Sequence, residues 1–254
     1  MAELVYPPVI GAARLAFRAL GLRFRIDGTE HVPAAGGAVL AVNHVSYLDF
    51  VFAGLAALPA GRLVRFMAKE SVFRHPVAGP LMRGMHHIPV DRRAGAGSYR
   101  AAVQALRAGE VVGVFPEATI SRAFVLKDFK TGAARMAIEA GVPLVPVVVW
   151  GGQRLFSKGT RRSWRRGITI AISVAEPLAP GPAADPAAGP AGGPAADPAE
   201  LTARLHEVMA ARLAAVQAAY PDTPRGEDDR WWLPAHLGGS APTPEQAARL
   251  DRAG

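Results

Sequence analysis

The feature that most constrains this chain is a series of seven short apolar stretches bounded by turn residues, at 23–27, 38–43, 65–68, 87–90, 111–115, 144–149 and 168–174. Most are nearly continuous in apolar residues rather than alternating, the pattern of strands covered on both faces. Helical periodicity fills the intervals at 49–57, 77–83, 98–107 and 131–140, and Gly109 and Gly141 stop the last two. Strands alternating with helices predict an α/β fold, a central, largely parallel or mixed sheet of about seven strands flanked by helices.

Segments on either side of this core (23–176) read differently. Residues 1–22 contain a basic amphipathic helix with Arg14 and Arg18 four apart, suited either to a membrane interface or to packing on the domain. Pro177 to Pro198 holds seven Pro, four Gly and eight Ala, a composition that buries too little to order itself and reads as a linker. From 199 to 220, Leu201, Leu205, Val208, Met209, Leu213, Val216 and Tyr220 recur at spacings of three and four, which predicts a C-terminal helix docked on the core. The remainder, 221–254, is a Pro-rich polar tail whose Trp231 and Trp232 either cap a core edge or anchor at a lipid interface.

Composition removes several function classes. With no cysteine, the chain has no disulfide scaffold, no cysteine-ligated zinc and no thiol nucleophile. A formal net charge of +8 favours anionic partners, whether nucleic acid, phosphate-bearing small molecules or anionic lipid. Leu4 to Leu22 carries Arg14 and Arg18, so it lacks the ~20 uninterrupted apolar residues of a spanning helix, and the expectation is a soluble or peripheral protein.

Chemistry-bearing residues gather at the ends of predicted strands, where open α/β sheets usually bind ligands. Asn43-His44-Val45-Ser46-Tyr47-Leu48-Asp49 follows the second strand. A histidine there can act as a general base whose orientation a carboxylate five residues on maintains, although the same pair also occurs as ordinary structure. Ile88-Pro89-Val90-Asp91-Arg92 ends another strand in an arginine, a residue shaped for phosphate and equally able to pair with Asp91 or Glu70. Phe115-Pro116-Glu117-Ala118-Thr119-Ile120-Ser121-Arg122 ends a third. Val142-Pro143-Leu144-Val145-Pro146-Val147 forms a fourth block, whose prolines predict an edge or irregular strand. His86 and His87 are adjacent rather than at ligand spacing, and no metal site is expected.

In this order the four blocks resemble the glycerolipid acyltransferase family, in particular the 1-acylglycerol-3-phosphate acyltransferases. His44 and Asp49 match the HxxxxD signature, flanked by Asn43 and Ser46; Phe115-Pro116-Glu117 matches the FPEG block; Val142 to Pro146 matches the proline-bearing block. The resemblance implies acyl transfer from a thioester of coenzyme A or acyl carrier protein to the hydroxyl of a lysophospholipid, without cofactor or acyl-enzyme. It assigns His44 and Asp49 to catalysis, Arg92 to the acceptor phosphate, and Glu117 and Thr119 to the glycerol end. Lys69 and Arg122 would add positive charge to the acceptor site. No G-x-S-x-G elbow accompanies them, and Ser46 is the nearest rival nucleophile. Ala118 and Ile120 depart from the block's usual glycine and arginine, which keeps a different lipid headgroup open.

One further cluster has Arg154, Lys158, Arg161, Arg162, Arg165 and Arg166 within thirteen residues, with Trp164 among them. It suits an anionic membrane surface, the phosphates of coenzyme A, or a solvated loop. The expected location is cytoplasmic, peripheral to the inner face of the membrane. A non-catalytic basic protein binding lipid or nucleic acid is the competing class, though no aromatic-interleaved recognition motif supports nucleic acid as a partner.

Overall fold

A computed structural model describes residues 3–91, 95–160, 162–181 and 196–253. Seven strands form one sheet: β1 (Arg23–Asp27), β2 (Ala38–Val42), β3 (Val64–Lys69), β4 (Ile88–Val90), β5 (Val111–Val114), β6 (Leu144–Trp150) and β7 (Thr169–Val174). Their order is β1-β7-β6-β2-β5-β3-β4. Every neighbouring pair is parallel except β6 and β7, so the sheet is mixed.

The near-continuous apolar runs have the predicted cause. Every residue of β2, β5, β6 and β7 is buried, because helices cover both faces. One face carries Leu106, Met136, Trp150, Leu205 and Met209, and the other carries Phe52, Phe66, Val145, Ile170 and Ile172. The helices are α1 (Tyr6–Ala19), α2 (Asp49–Ala57), α3 (Glu70–Phe73), α4 (Ala78–Gly84), α5 (Gly95–Arg107), α6 (Gly132–Ala140), α7 (Pro198–Ala218) and α8 (Pro244–Ala253).

The structure decides between readings that the sequence leaves open. The helix expected within residues 1–22 runs from Tyr6 to Ala19, with Pro7 and Pro8 in its first turn, where a missing N–H costs nothing. Of the two readings of the fourth block's prolines, the irregular strand holds: β6 is interior, and beside Pro146 its pairing shifts by one residue between Val147 with Val174 and Leu144 with Leu178, a bulge. The tail is folded. Trp232 is fully buried beneath the Arg154 guanidinium, 4.2 Å from its ring centre, which decides for the core-capping reading of that tryptophan. Residues 182–195 of the Pro/Ala/Gly-rich segment lie outside the described residues.

α1 packs through Tyr6, whose hydroxyl donates to the Val64 carbonyl at 2.5 Å, and through Phe17 against Phe24 and Phe52. Its Arg14, Leu15 and Arg18 remain exposed. Among the described residues no helix is long and apolar enough to cross a membrane.

Candidate active site

β2 is central, with β5 on one side and β6 on the other, and all three deliver their carboxyl ends to the same edge. The chain therefore leaves β2 at Asn43 into a crevice that β5 and β6 also open into, the usual ligand position of such sheets. Asn43 fixes this exit. Its side-chain amide donates to the Val149 carbonyl at 3.0 Å and its oxygen accepts the Val149 N–H at 2.7 Å, both on β6.

His44 and Asp49 are brought together as their spacing predicts. His44 Nδ1 lies 3.1 Å from Asp49 Oδ2, at the first turn of α2. The same oxygen accepts the N–H groups of Val45 and Ser46, each at 2.7 Å. Asp49 is wholly buried, which pushes its carboxyl above the usual range against the opposing pull of His44 and the two backbone donors. A carboxylate so restrained cannot swing, and with Nδ1 committed to it, the imidazole presents Nε2 for proton transfer. The ring also stacks on Phe115, with centroids 4.0 Å apart.

The loop after β6 backs the pair. A side chain at Gly152 would bring a Cβ within 3.0 Å of Ser46 Cβ and 3.3 Å of Asp49 Oδ1, so only glycine fits without displacement. Ser46 Oγ donates to the Phe156 carbonyl at 2.7 Å and accepts the Leu48 N–H at 3.1 Å. This serine is fully buried and holds the loop, a geometry unlike that of an exposed nucleophile.

Glu117 reaches the catalytic loop through that loop's backbone. It is buried, with Oε1 accepting the His44 N–H at 2.7 Å and Oε2 the Lys127 N–H at 3.1 Å. It thus ties the loop after β2 to the loop after β5, a role the bare sequence does not signal. Ser121 N–H adds a bond to the His44 carbonyl at 2.7 Å. Burial pushes the Glu117 carboxyl up to about 8, outweighing the two N–H bonds that favour its charged form.

The sign of the resulting pH dependence follows from that shift. The folded value lies above the ordinary 4.5, so this contribution to stability is complete below about pH 4.5 and is lost as pH rises through about 8. Glu117→Gln, measured by urea unfolding at about pH 5 and about pH 9, is expected to flatten that loss relative to wild type. Equal pH slopes in the two proteins would contradict the assignment.

The departures in this block have distinct structural consequences. Ala118 has a positive φ of 62°, a left-handed conformation that glycine adopts freely and that costs an L-residue about 1–2 kcal/mol. Ile120 is buried in place of a charged side chain. Thr119 accepts a hydrogen bond from Lys127 Nζ at 2.9 Å, and Arg122 Nε pairs with Asp251 at 3.0 Å. Lys69 is exposed at the end of β3, in register with Val90, beside the strand that leads towards Arg92. Arg92 itself lies outside the described residues.

The second-block histidines diverge. His86 takes a positive φ of 57°, whereas His87 is buried, and its Nδ1 accepts the Phe66 N–H at 3.0 Å. Burial and the nearby Arg65 hold His87 neutral, lowering its pKa to about 4. It lines an apolar cavity of about 230 Å³ between α1, α2 and α4, together with Ile10, Phe50, Gly54, Leu81 and Met85.

Similarity to known proteins agrees with this geometry. The family model described as Acyltransferase matches residues 23–150, which spans β1 to the end of β6 and both functional loops. The chain belongs to the acyltransferase family. It is 33% identical over 139 residues to the 1-acyl-sn-glycerol-3-phosphate acyltransferase of Bacillus subtilis, covering 53% of this chain and 68% of that one. It is 32% identical over 162 residues to the protein of that name from Limnanthes douglasii, covering 62% and 55%. The human alpha form is 32% identical over 145 residues, covering 56% of this chain and 50% of its own. This acyltransferase thus spans about half the length of the latter two relatives. The crystal structure of the Thermotoga maritima 1-acyl-sn-glycerophosphate acyltransferase PlsC superposes with a TM-score of 0.65 over 85% of this chain and 81% of that one. At 24% identity, that likeness is one of fold.

The Arg-rich segment of the acyltransferase is largely spoken for internally. Arg154 pairs with Asp222 at 2.5 Å, Arg165 with Asp229, and Lys158 with Asp251 at 2.6 Å. Arg162 stands over the Phe156 ring at 4.5 Å, and Arg166 and Trp164 are exposed. Arg161 lies outside the described residues.

Proposed function

We propose that this acyltransferase moves a fatty acyl group from a thioester of coenzyme A or acyl carrier protein to the free hydroxyl of 1-acylglycerol 3-phosphate, giving phosphatidate. The observation that carries the reading is the His44–Asp49 pair at the mouth of the crevice, with Asp49 Oδ2 fixed by three donors. His44 Nε2 takes the proton of the acceptor hydroxyl as its oxygen bonds to the thioester carbonyl carbon. Asp49 stabilises the imidazolium that results. Collapse of the tetrahedral intermediate breaks the C–S bond, and His44 returns its proton to the departing thiolate. Atoms and charge balance with no covalent enzyme intermediate, in keeping with the buried Ser46.

The apolar cavity lined by Phe50 and His87 suits the acyl chain, since its walls are almost wholly aliphatic and aromatic. Gly54, on α2, has room for a side chain there, the nearest atom to an added Cβ being Phe66 Cε2 at 3.9 Å. Gly54→Leu is expected to shift the preferred acyl chain to shorter lengths, read by competition between acyl-CoAs of graded length. An unchanged preference would place the chain elsewhere.

The acceptor's phosphate is assigned to Arg92 with Thr119, Arg122 and Lys69 contributing. The exposed Leu15, Trp164 and Arg166 support work at an anionic membrane surface, on its cytoplasmic side. A panel of lysophospholipid acceptors with one radiolabelled acyl-CoA, resolved by thin-layer chromatography, tests the function. Labelled phosphatidate is the expected dominant product; label in another headgroup class would reassign the acceptor.

A further inference from the structure

The C-terminal helix α8 reaches back over the third-block loop and places Asp251 on three cations. Asp251 Oδ1 accepts from Arg122 Nε at 3.0 Å and Lys158 Nζ at 2.6 Å, and Oδ2 accepts from Lys127 Nζ at 3.0 Å. Lys127 Nζ also donates to Thr119 Oγ1 at 2.9 Å. Burial tends to raise this carboxyl, yet the bonds from Lys158, Lys127 and Arg122 hold it well below the usual carboxylate range.

The cations come from the two loops that enclose the catalytic pair. Arg122 follows Ser121, whose N–H binds the His44 carbonyl, and the Lys127 N–H binds Glu117, which in turn holds His44. Lys158 follows Ser157, whose hydroxyl donates to the Val45 carbonyl at 2.6 Å. Gly159, at a positive φ of 80°, leaves space that the Arg122 guanidinium fills, since a Cβ there would stand 2.0 Å from its Nη1. These bonds anchor the cluster to the HxxxxD loop independently of α8.

Among the described residues, three cations share the single carboxylate of Asp251, so this cluster carries a surplus of two positive charges. A phosphate monoester dianion, with three acceptor oxygens in place of two, matches that surplus and donor geometry better than a carboxylate does. We infer that Arg122, Lys127, Lys158 and Thr119 form a phosphate-monoester site at the acceptor side of the catalytic pair, and that Asp251 occupies it in cis as a competing anion. This rests on the acceptor reading above, and it adds Lys158 to the site and a self-blocking role to α8. Binding there must displace Asp251, so the apparent affinity of the native chain is reduced by the fraction of molecules in which α8 has released.

The test titrates the full chain and its Asp251→Asn variant with inorganic phosphate by calorimetry, and in parallel measures the KM for 1-acylglycerol 3-phosphate. Removing the competing charge is expected to tighten phosphate binding about tenfold, and Lys158→Met in the same background to abolish the gain. A gain with both probes assigns the site to the phosphate group itself; a gain with the lysolipid alone assigns it to the lipid headgroup. Tighter phosphate binding without any acyl transfer would refute the enzymatic reading while leaving the site intact. Unchanged affinity for both probes in a folded Asp251→Asn protein would overturn the inference. A second measurement needs no variant: by linkage, saturating phosphate should hasten amide exchange across 244–253 of the native chain. Exchange that phosphate leaves unaltered or slows would likewise overturn it.

Discussion

His44→Ala is expected to lower kcat about a thousandfold while leaving the melting temperature within a few degrees of wild type. The large kinetic effect follows from the absence of another base in contact with Asp49 among the described residues; the carboxylate's remaining partners are the Val45 and Ser46 N–H groups. The small thermal effect follows from the same bonds, which persist without the imidazole. Steady-state acyl transfer and a thermal melt on one preparation check both halves. A variant retaining a tenth of wild-type turnover would remove His44 from the reaction, and a collapsed melt would mean that the ring is a structural element.

Asp49 carries two functions that substitution can separate. Asp49→Asn keeps a side-chain oxygen for the Val45 and Ser46 donors but removes the charge that stabilises the imidazolium. It is expected to fold normally and to lose roughly 10²-fold or more in kcat, by the logic that governs the aspartate of a Ser-His-Asp triad. Asp49→Ala removes the acceptor as well and strands two N–H groups in a buried turn. At about 1–3 kcal/mol for each unsatisfied group, unfolding free energy should fall by about 3 kcal/mol in a urea titration. Wild-type kcat in the asparagine variant would contradict the electrostatic role, and wild-type stability in the alanine variant would contradict the clamp.

Much of this arrangement is legible in the sequence because its causes are local. α2 and β1 coincide with their predicted spans, β1 as an edge strand whose Arg-Phe-Arg-Ile-Asp alternates and stays mostly exposed, since such short patterns are set within a few residues. His44 and Asp49 are legible for the same reason, being separated by one turn of chain. Glu117 is harder: its position in the FPEG-like block marks it, but not its two backbone partners, which depend on β2 and β5 being neighbours. Pro146 marks an irregular strand, as its register shift beside Leu178 shows, but that β6 is interior depends on β2 and β7 flanking it and is not legible locally.

The tail shows where local reading ends. Nothing around Asp251 in the sequence indicates that it joins Arg122, Lys127 and Lys158, which lie 129, 124 and 93 residues earlier. Likewise Arg154, Lys158 and Arg165 form part of a basic run in sequence. In the fold they neutralise Asp222, Asp251 and Asp229, so much of the apparent basic patch is consumed within the molecule.

The most direct measurement follows thiol release from acyl-CoA after rapid mixing, with and without 1-acylglycerol 3-phosphate. Transfer from the thioester straight to a lipid hydroxyl, with His44 as the base, predicts thiol only when acceptor is present, one equivalent for each phosphatidate formed. A stoichiometric burst of thiol before acceptor is added would reveal an acyl-enzyme, and steady release without acceptor a hydrolase. Either result would contradict direct transfer.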